Sequence, residues 1–576
     1  MGDEKNPEKD FEKEKKKKIE KEPEKQTKKA PKPKKKKKKG KAGFLFILLI
    51  LLAVICAGVY LLIPSKNRVS HNQYFGLKDD NQYGLIVNSE IVDITNGAPF
   101  EENGVWYLPF STLYYEISDA FYYDGLALLY TDPLQTYSAT PGESFYTDSD
   151  GIKYTLTYQP CYFKDGSLCI ALDYLKLMDY SYYTVDDTMK SIWVFNDWSE
   201  QPRASLLKDT KARTQAGIKN DIVASLATGD VVTVLEQGAS WSQVQTQTGL
   251  IGYVQNKMLG EIKEEARAVP DGRPLPKYTN ITMDEMVVMG WHQVFSESGY
   301  SQLDDIISTA KGMNVICPTW FTIKDNDGNI QNLGEKKYVT KAHKAGLQVW
   351  VMLDDINIST DGLQVFGTTS HRKTLITAVI DAVKELGADG INLDVETIKS
   401  DVGPSYIQFI RELSAACRKE KLVLSVDNPV PEDFTSHYDR REQGMVVDYI
   451  VIMGYDEHYV GSDAGSVASL PWVEQGVQDT IAEAPAERTV LAIPFYTRLW
   501  KTTGGALTSE AIGMDEAQNV LTENGVEAVW DGSVSQNYAT FEKDNSTYQI
   551  WLEDAQSIVE KVKLIPKYNL AGVAQW

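Results

Sequence analysis

From residue 283 onward, short apolar runs alternate with longer segments whose apolar residues recur every three or four positions. In one such segment, Leu375, Val379, Ile380 and Val383 share a helical face. Short apolar runs that alternate with amphipathic helices predict a parallel sheet. The predicted strands are 285–290, 313–318, 347–353, 388–396, 421–427, 447–454, 488–494 and 570–576. These eight strands predict an α/β fold, a TIM (β/α)8 barrel, over 283–576.

Two other patterns precede the barrel. Residues 70–200 contain an internal repeat, since segments 102–114 and 164–176 each read as a turn, a strand and a short helix. The repeat predicts a small α+β domain. Residues 203–262 instead contain short alternating runs broken by glycines, which predict a small all-β barrel. Residues 263–282 are rich in charge and proline, so we expect a linker there.

The amino terminus joins a charged segment to an apolar one. Lysine is the commonest residue in 1–42, although the whole chain of 576 residues has a formal net charge of −21, and we expect a disordered tail there. Residues 44–63 are uncharged and apolar over about the 20 positions that a transmembrane helix requires. The positive-inside rule then places the tail in the cytoplasm and the remainder outside. We expect a single-pass signal anchor in the cell membrane, rather than a cleaved signal peptide, and no nucleic-acid partner.

Residues 389–396 of the fourth predicted strand read Asp-Gly-Ile-Asn-Leu-Asp-Val-Glu. Side chains on a strand alternate between its faces, so Asn392, Asp394 and Glu396 share one face and the apolar residues share the other. In a barrel, the polar face would line the interior up to the carboxyl end, where barrel enzymes place their catalytic groups. A buried strand with a few satisfied polar groups is the structural alternative.

This octapeptide resembles the DxxDxDxE signature of glycoside hydrolase family 18, with Asn392 in place of the middle aspartate. The resemblance extends to other strand ends. Residues 453–456 (Met-Gly-Tyr-Asp) are similar to the family's MxYD, residues 493–500 to its PFYGRxW, and Trp576 ends the last strand. Residues 338–350 look like the subgroup of spore-cortex and peptidoglycan N-acetylglucosaminidases. The resemblance implies a TIM barrel with glycosidase activity.

The preceding domains also resemble known modules. Residues 70–200 are similar to the copper amine oxidase N-terminal-like stalk domain. That name implies no copper site here, because His71 is the only histidine before the barrel. Residues 203–262 resemble a bacterial Src-homology-3-like domain, a module that often holds cell-wall peptides. A spacer without a ligand is the alternative for this domain.

The family resemblance implies three catalytic residues, Glu396, Asp394 and Tyr455. Family 18 enzymes use the 2-acetamido oxygen of the substrate as the nucleophile. Glu396 would protonate the leaving oxygen and later activate water, Asp394 would accept the acetamido N–H, and Tyr455 would donate to the acetamido carbonyl. This mechanism implies retention of configuration, with no cofactor and no metal.

Five further residues are assigned to the substrate: Asn392, Asp456, Trp576, Arg498 and Trp291. Trp576 is expected to stack against a sugar face. Asp456 and Arg498 would contact sugar hydroxyls or orient the tyrosine, with a structural ion pair as the alternative. Asn392 is expected to hydrogen-bond Asp394 without sharing a proton with it, so we expect activity with an altered pH profile.

Peptidoglycan is the favoured substrate. The third strand, residues 349–354, lacks the SxGG of typical chitinases. A membrane tether and a wall-binding module would suit the same polymer. We therefore expect cleavage of β-1,4 bonds after N-acetylglucosamine. The alternatives are hydrolysis of chitin or of an N-glycan core, and a cell-wall glycan-binding protein without turnover.

Several other polar residues are given structural interpretations. Cys161 and Cys169 flank a predicted hairpin turn, where they could pair as a disulfide or remain half-buried thiols. His292 and His458 are not expected to bind a metal, because no imidazole cluster accompanies them. The acidic pair at 354–355 follows the third strand and is expected to be solvated.

Overall fold

The computed structural model describes residues 41–357 and 359–576, so almost all of the predicted lysine-rich tail lies outside the described residues. The chain divides into two units after Ser65, and Lys66–Trp576 is the second. In the first unit, a helix covers Lys41–Leu62, over the predicted transmembrane segment. Within the described part of the chain, no helix meets the length and apolarity required to cross a membrane.

Residues 70–200 form the predicted small α+β domain. Its helices are His71–Phe75, Phe110–Glu116 and Leu172–Met178. Its strands are Gly84–Val87, Glu90–Val92, Phe100–Glu102, Val105–Pro109, Phe121–Tyr123, Leu128–Thr131, Thr136–Ala139, Phe145–Asp148, Lys153–Thr155, Cys161–Lys164, Ser167–Ala171, Tyr182–Asp186 and Ser191–Phe195. They form two four-stranded sheets and one five-stranded antiparallel sheet.

The internal repeat appears in the structure as two hairpins, each followed by a short helix. Strands Val105–Pro109 and Ser167–Ala171 lead into these helices and pair with each other. In both hairpin turns the two central residues have positive φ, which two-residue turns of type I′ require.

The second hairpin also decides between the two interpretations of the cysteines. Cys161 is paired with Ile170, and Cys169 with Tyr162. The two cysteines therefore lie on opposite faces of the hairpin, where they cannot form a disulfide. Both thiols are free and buried.

A seven-stranded antiparallel sheet follows. Its strands are Glu200–Ser205, Thr210–Arg213, Ile222–Leu226, Val231–Gln237, Trp241–Gln245, Ile251–Gln255 and Lys263–Ala266, with a 3₁₀ turn at Asn256–Met258. The last strand pairs with Glu200–Arg203 and so extends the sheet into the predicted linker.

The carboxyl-terminal region forms a closed parallel barrel, as predicted. Its strands are β1 (Val287–His292), β2 (Val315–Pro318), β3 (Gln348–Asp354), β4 (Gly390–Asp394), β5 (Val423–Pro429), β6 (Tyr449–Met453), β7 (Thr489–Ile493) and β8 (Gly572–Gln575). Each pairs in parallel with its neighbours, and β8 pairs with β1 to close the ring. All eight lie at the positions that the apolar runs predict.

Helices surround the barrel. They are Leu303–Thr309, Lys336–Lys344, Gly362–Gly367, Thr369–Leu386, Gly403–Glu420, Arg440–Val446, Leu470–Glu483, Ala555–Val562 and Leu564–Tyr568, with 3₁₀ turns at Glu297–Gln302, Asp433–Tyr438 and Ala486–Arg488. A short hairpin, Phe321–Ile323 and Ile330–Asn332, follows β2.

An α+β insertion separates β7 from β8, and the sequence patterns do not predict it. Its strands are Tyr496–Thr503, Ala506–Gly513, Val529–Asp531, Gln536–Lys543 and Ser546–Leu552, and its helix is Met514–Asn524. The strands form a separate five-stranded antiparallel sheet. The insertion therefore lies on the side of the barrel where β7 ends.

The faces of β4 agree with the predicted alternation. Ile391, Leu393 and Val395 are buried against the outer helices, in the same cluster as Val379 and Val383. Burying an aliphatic side chain of this size contributes about 1.5 to 3 kcal/mol. The opposite face of β4 points into the barrel, which is where the candidate chemistry is found.

Candidate active site

Acidic and phenolic side chains converge at the carboxyl ends of β3 to β6. Asp354 and Asp394 end β3 and β4, Asp427 lies in β5, and Tyr455 follows β6. Burial, followed by the negative charges of Asp394, Asp427 and Glu396, raises the pKa of Tyr455 well above its usual range. Tyr455 therefore remains a protonated hydrogen-bond donor. The structure brings together the three residues to which the sequence assigns catalysis.

Asn392 occupies the barrel interior and is fully buried. Its Oδ1 accepts a hydrogen bond of 2.9 Å from Trp291 Nε1. Because an indole N–H can only donate, this contact fixes the orientation of the amide. Its Nδ2 therefore donates, to Ser425 Oγ at 3.0 Å and to Asp427 Oδ1 at 2.7 Å. The expected hydrogen bond from Asn392 to Asp394 is not formed, because Nδ2 of Asn392 donates to Ser425 and Asp427 of β5 instead.

Asp394 is buried, with 7% of its surface exposed. Its Oδ1 has no hydrogen-bond partner among the described residues. Burial raises the pKa of Asp394 well above its usual range, and the negative charges of Asp427 and Glu396 raise it further. An unpartnered buried carboxyl oxygen costs free energy in a resting protein. It is also an acceptor available to a donor group inside the barrel.

Glu396 lies two residues beyond the end of β4, with its side chain exposed at the barrel mouth. β4 ends at Asp394 because the side chain of Asp355 accepts the hydrogen bonds of the backbone N–H groups of Glu396 and Thr397, which therefore do not bond to a neighbouring strand. Asp355 Oδ1 accepts from Glu396 N at 2.9 Å, and its Oδ2 accepts from Thr397 N at 3.1 Å and from Thr397 Oγ1 at 2.5 Å. On the other side, Tyr438 donates to the carbonyl oxygen of Glu396 at 3.1 Å.

The electrostatic surroundings of Glu396 suit a general acid. Partial desolvation by neighbouring protein atoms raises the pKa of its carboxyl group, and the charges of Asp355, Asp456 and Asp354 raise it further. A raised pKa keeps a carboxylic acid protonated closer to neutral pH, where it can deliver a proton to a leaving oxygen.

A second tyrosine organises the residues after β6. The rings of Tyr455 and Tyr496 meet edge to face, with 6.1 Å between their centroids. The Tyr496 hydroxyl donates to Asp456 Oδ1 at 2.6 Å. Asp456 has a φ of 64°, in the left-handed region, which turns the chain sharply after Tyr455. Asp456 therefore orients Tyr496, and its contact with a sugar hydroxyl or with Tyr455 stays a prediction.

Two tryptophans lie against each other at the carboxyl ends of β1 and β8. Trp576, at the end of β8, is partly exposed and meets Trp291 edge to face at 5.9 Å. Trp291 is only 8% exposed, because its indole packs inside the barrel and bonds to Asn392. Trp576 therefore offers surface to a sugar, whereas Trp291 mainly supports Trp576 and Asn392. The sugar-binding roles of both residues stay predictions.

The match to a protein-family model shows to which family this chain belongs. The model described as glycosyl hydrolases family 18 matches residues 249–576, which is more than half of the chain. The chain belongs to this family. The predicted glycosidase class is therefore confirmed. A model of the bacterial SH3 domain matches residues 208–260 and confirms the second module. The similarity of residues 70–200 to a copper amine oxidase stalk stays a prediction.

Two relatives of this family 18 glycosidase are proteins of Bacillus subtilis (strain 168). The uncharacterized glycosylase YvbX is 25% identical over 275 residues, covering 46% of this chain and 79% of YvbX. The cortical fragment-lytic enzyme is 24% identical over 214 residues, covering 36% of this chain and 50% of that enzyme. The chain thus spans about half the length of the second relative. Among solved structures, a chitinase from Chromobacterium violaceum ATCC 12472 matches with a TM-score of 0.46 and 19% identity, over 50% of this chain and 93% of the chitinase.

Three residues of the glycosidase site escape the sequence motifs. Asp355 and Asp427 are buried at 6% and 1% exposure, whereas the sequence suggests a solvated Asp355 and makes no assignment for Asp427. Burial also raises the pKa of Asp354 to about 6. The prediction of a solvated acidic pair after β3 is wrong, because these side chains bond to the backbone around β4 and to Thr322.

Arg498 and the two histidines have structural contacts. Arg498 Nη1 donates to Ser509 Oγ at 3.1 Å within the insertion. No ion pair between Arg498 and Asp456 is present among the described residues. His292 Nδ1 lies 2.7 Å from the Tyr338 hydroxyl, and His458 Nδ1 lies 3.0 Å from the backbone oxygen of Asp463.

Proposed function

We propose that this chain is a membrane-anchored glycosidase that cleaves β-1,4 bonds after N-acetylglucosamine in peptidoglycan, by retaining, substrate-assisted catalysis. The observation that carries the proposal is the arrangement at the mouth of the barrel. Glu396 is exposed there with a raised pKa, while Asp394 and Tyr455 place a carboxyl acceptor and a protonated donor beside it. This combination suits a substrate that carries both an amide N–H and an amide carbonyl.

The proposed reaction uses one acid and the acetamido group of the sugar. Glu396 gives its proton to the glycosidic oxygen as the bond to the anomeric carbon breaks. The acetamido carbonyl oxygen forms a bond to that carbon, while Asp394 accepts the acetamido N–H and Tyr455 donates to the carbonyl oxygen. The resulting oxazolinium is then attacked by water, whose proton returns to Glu396. Two displacements at one carbon give retention.

Asp394 is better suited to hold the acetamido group than to attack the sugar. It lies inside the barrel, below the exposed Glu396, and its neighbours Asn392 and Asp427 are also buried. A negative charge at Asp394 would stabilise the positive charge that develops on the acetamido nitrogen. Fixed charges directed at developing charge supply much of the rate enhancement in enzymes.

Peptidoglycan is favoured over chitin on two grounds. The third strand does not carry the chitinase SxGG sequence. One relative is named a cortical fragment-lytic enzyme, although others are named endochitinase and chitinase. Chitin is therefore the second polymer to test.

Membrane attachment is supported by the sequence of the amino terminus. Residues 44–63 are uncharged and apolar, and lysines precede them. We expect the full chain to sediment with membranes, to resist washing with high salt and to be released by detergent. Recovery in the soluble fraction would contradict the anchor without affecting the enzymatic proposal.

Digestion of purified peptidoglycan, followed by mass spectrometry of borohydride-reduced products, tests the enzymatic proposal. The parent protein should release fragments with reduced N-acetylglucosamine ends, and Glu396→Gln should lower the rate about 1,000-fold while polymer binding is retained. Glu385→Gln, on the exposed face of the helix Thr369–Leu386, is the matched control and should keep full activity.

The other outcomes separate the alternatives. Products from chitin but not from peptidoglycan would assign the enzyme to the second polymer. Binding without products from either polymer, by the parent protein, would overturn the enzymatic proposal in favour of a glycan-binding protein.

A further inference from the structure

Asp427 on β5 lies beside Asp394 in the barrel interior. In the β4–β5 pairing, Leu393 is opposite Val426, so the residues that follow them, Asp394 and Asp427, lie at the same level. Neighbouring strands are about 4.8 Å apart. Asn392 contacts the Asp427 side chain from the strand that carries Asp394, which places both carboxyl groups on the interior face. No sequence motif of the site includes Asp427.

Both members of this pair have an oxygen without a partner. Asp427 Oδ1 accepts from Asn392, but Asp427 Oδ2 and Asp394 Oδ1 have no hydrogen-bond partner among the described residues, although both are buried. Two adjacent carboxylates in an interior cannot both remain ionised, since each charge raises the cost of the other. A single proton placed between the two unpartnered oxygens would satisfy both of them.

The surrounding titratable groups favour a bound proton. Those within electrostatic reach of the pair are Cys317 from β2, Asp354 and Asp355 from β3 and its end, Glu396 after β4, Tyr455 after β6, and Tyr406 and Tyr438 from the elements outside β4 and β5. All of them are neutral or acidic groups. Burial raises the pKa of both Asp394 and Asp427 well above the usual range.

We propose that Asp427 is the proton-sharing partner of Asp394, and that Asn392 serves to orient Asp427. The pair holds one proton at neutral pH. Asp427 carries it and donates to the Asp394 carboxylate, so that Asp394 keeps a negative charge inside the barrel. A carboxyl O–H is a stronger donor to a carboxylate than an amide is. Asp427 is thus a positioning residue that acts through Asp394.

This inference deepens the proposed function and rests on it for its kinetic part, because the charge on Asp394 matters only if Asp394 holds an acetamido group. The shared proton itself can be detected without any substrate. The first experiment is therefore infrared spectroscopy of the full-length protein at pH 7.5. The wild type should show a protonated-carboxyl C=O band that moves in D₂O, and Asp427→Asn should remove or shift this band.

Asp427→Asn is a conservative probe because the new amide can still accept from Asn392 and can donate to Asp394. Asp515→Asn, at an exposed position, is the control and should leave the band unchanged. Absence of the band from the wild type, or an identical band in Asp427→Asn, would overturn the proposal even if the protein is a fully active glycosidase.

The second experiment is the pH profile of kcat/KM. Asp427→Asn replaces a strong donor by a weaker one, so protonation of Asp394 should occur at higher pH and move the acid limb up by about one pH unit. The double variant Asn392→Asp/Asp427→Asn returns one carboxyl partner to Asp394, from the same strand, and should move the limb back toward the wild-type position.

A purely structural role for Asp427 would change the thermal midpoint without moving the limb, and that outcome would contradict the inference. The inference would also be contradicted if the acid limb of the double variant were no closer to that of the wild type than the limb of Asp427→Asn is. If the wild type cleaved no polymer, the proposed function would be wrong. The infrared result would still show whether Asp394 and Asp427 share a proton.

Discussion

Two buried acidic sites in this family 18 glycosidase differ in how their carboxylates are satisfied. Glu553 follows the insertion, and its side chain has no exposed surface. Lys561, whose side chain is equally buried, donates to both of its oxygens at 2.8 and 3.0 Å. Gln536 and Ser557 supply two further hydrogen bonds, at 2.6 and 2.7 Å. At the barrel mouth, Asp394 Oδ1 has no hydrogen-bond partner within the described part of the chain.

The difference separates a structural role from a chemical one. A saturated buried ion pair fixes one conformation, and it has no acceptor left for a ligand. An unsaturated carboxyl group costs stability and is retained where a reaction uses it. Both sites contain buried acids, so burial alone does not identify the active site. Unfilled positions on the carboxyl groups do: among the described residues, the buried carboxyl oxygens without a hydrogen-bond partner are Asp394 Oδ1 and Asp427 Oδ2.

Breaking the structural site should have the largest effect on stability. Lys561→Met leaves the Glu553 charge buried without a cation, and we expect a loss of about 3 to 5 kcal/mol in the free energy of unfolding. Urea unfolding followed by tryptophan fluorescence measures it. The double variant Lys561→Met/Glu553→Gln removes the uncompensated charge and should recover most of the loss.

The matched change at the mouth is Asp394→Asn. It removes a buried carboxylate that has no cation partner, so we expect no loss of stability while activity falls. If Asp394→Asn destabilised the protein as much as Lys561→Met does, the two sites would not differ as described.

Asp354 extends the comparison to a buried acid whose effect on the free energy of unfolding depends on pH and is smaller than that of Lys561→Met. Burial raises its pKa to about 6 in the folded protein, against about 3.9 in an unfolded chain. Between these values the folded protein binds more protons than the unfolded chain does, so stability decreases as the pH rises. The contribution of Asp354 is present below about pH 4, and on the order of 2 kcal/mol is lost by pH 7.

Unfolding of wild type and Asp354→Asn between pH 4 and pH 7 measures this contribution. The variant should be relatively more stable at pH 7 than at pH 4. Asp515→Asn, at an exposed position, should follow the wild type throughout. A constant difference between Asp354→Asn and the wild type over this range would contradict the raised pKa.

The sequence predicts the barrel well because its strands are buried on both faces. Each strand is a short apolar run bounded by polar residues, and the polar exceptions Asn392 and Asp394 keep the two-residue period of an interior face. The insertion between β7 and β8 escapes prediction. Its long strands, such as Tyr496–Thr503, are mostly partly exposed and lack a continuous apolar run.

Of the two acidic residues at the mouth that the motifs miss, the sequence contains a signal for Asp427 but none for Asp355. Asp427 lies two residues after Ser425 in β5, so a polar period of two matches that of β4 and could have marked both for the interior. Asp355 gives no such signal, because its partners are backbone groups 41 and 42 positions away. Only the folded chain shows that its carboxylate holds the segment that carries Glu396.

The smallest expected effect comes from changing the hydrogen bonds that Asp355 accepts from Glu396 and Thr397, which together are called the Asp355 clamp. Asp355→Asn exchanges one acceptor oxygen for an NH₂ group that faces the N–H of Glu396 or Thr397, so the catalytic side chain is held less firmly. We expect kcat to fall about 10-fold with little change in KM, because a mispositioned acid weakens the transition state more than substrate binding. Asp355 is also the first of the charges that raise the pKa of Glu396.

The pH profile separates these two effects of Asp355. Removing its charge lowers the pKa of Glu396, so the acid form is lost earlier and the alkaline limb of kcat/KM moves to lower pH. Thr397→Val is the matched control, since it removes one hydrogen bond of the clamp without changing any charge. It should lower kcat without moving the limb. A shift of equal size in Thr397→Val would show that the geometry of the clamp, rather than the charge of Asp355, sets the pKa of Glu396.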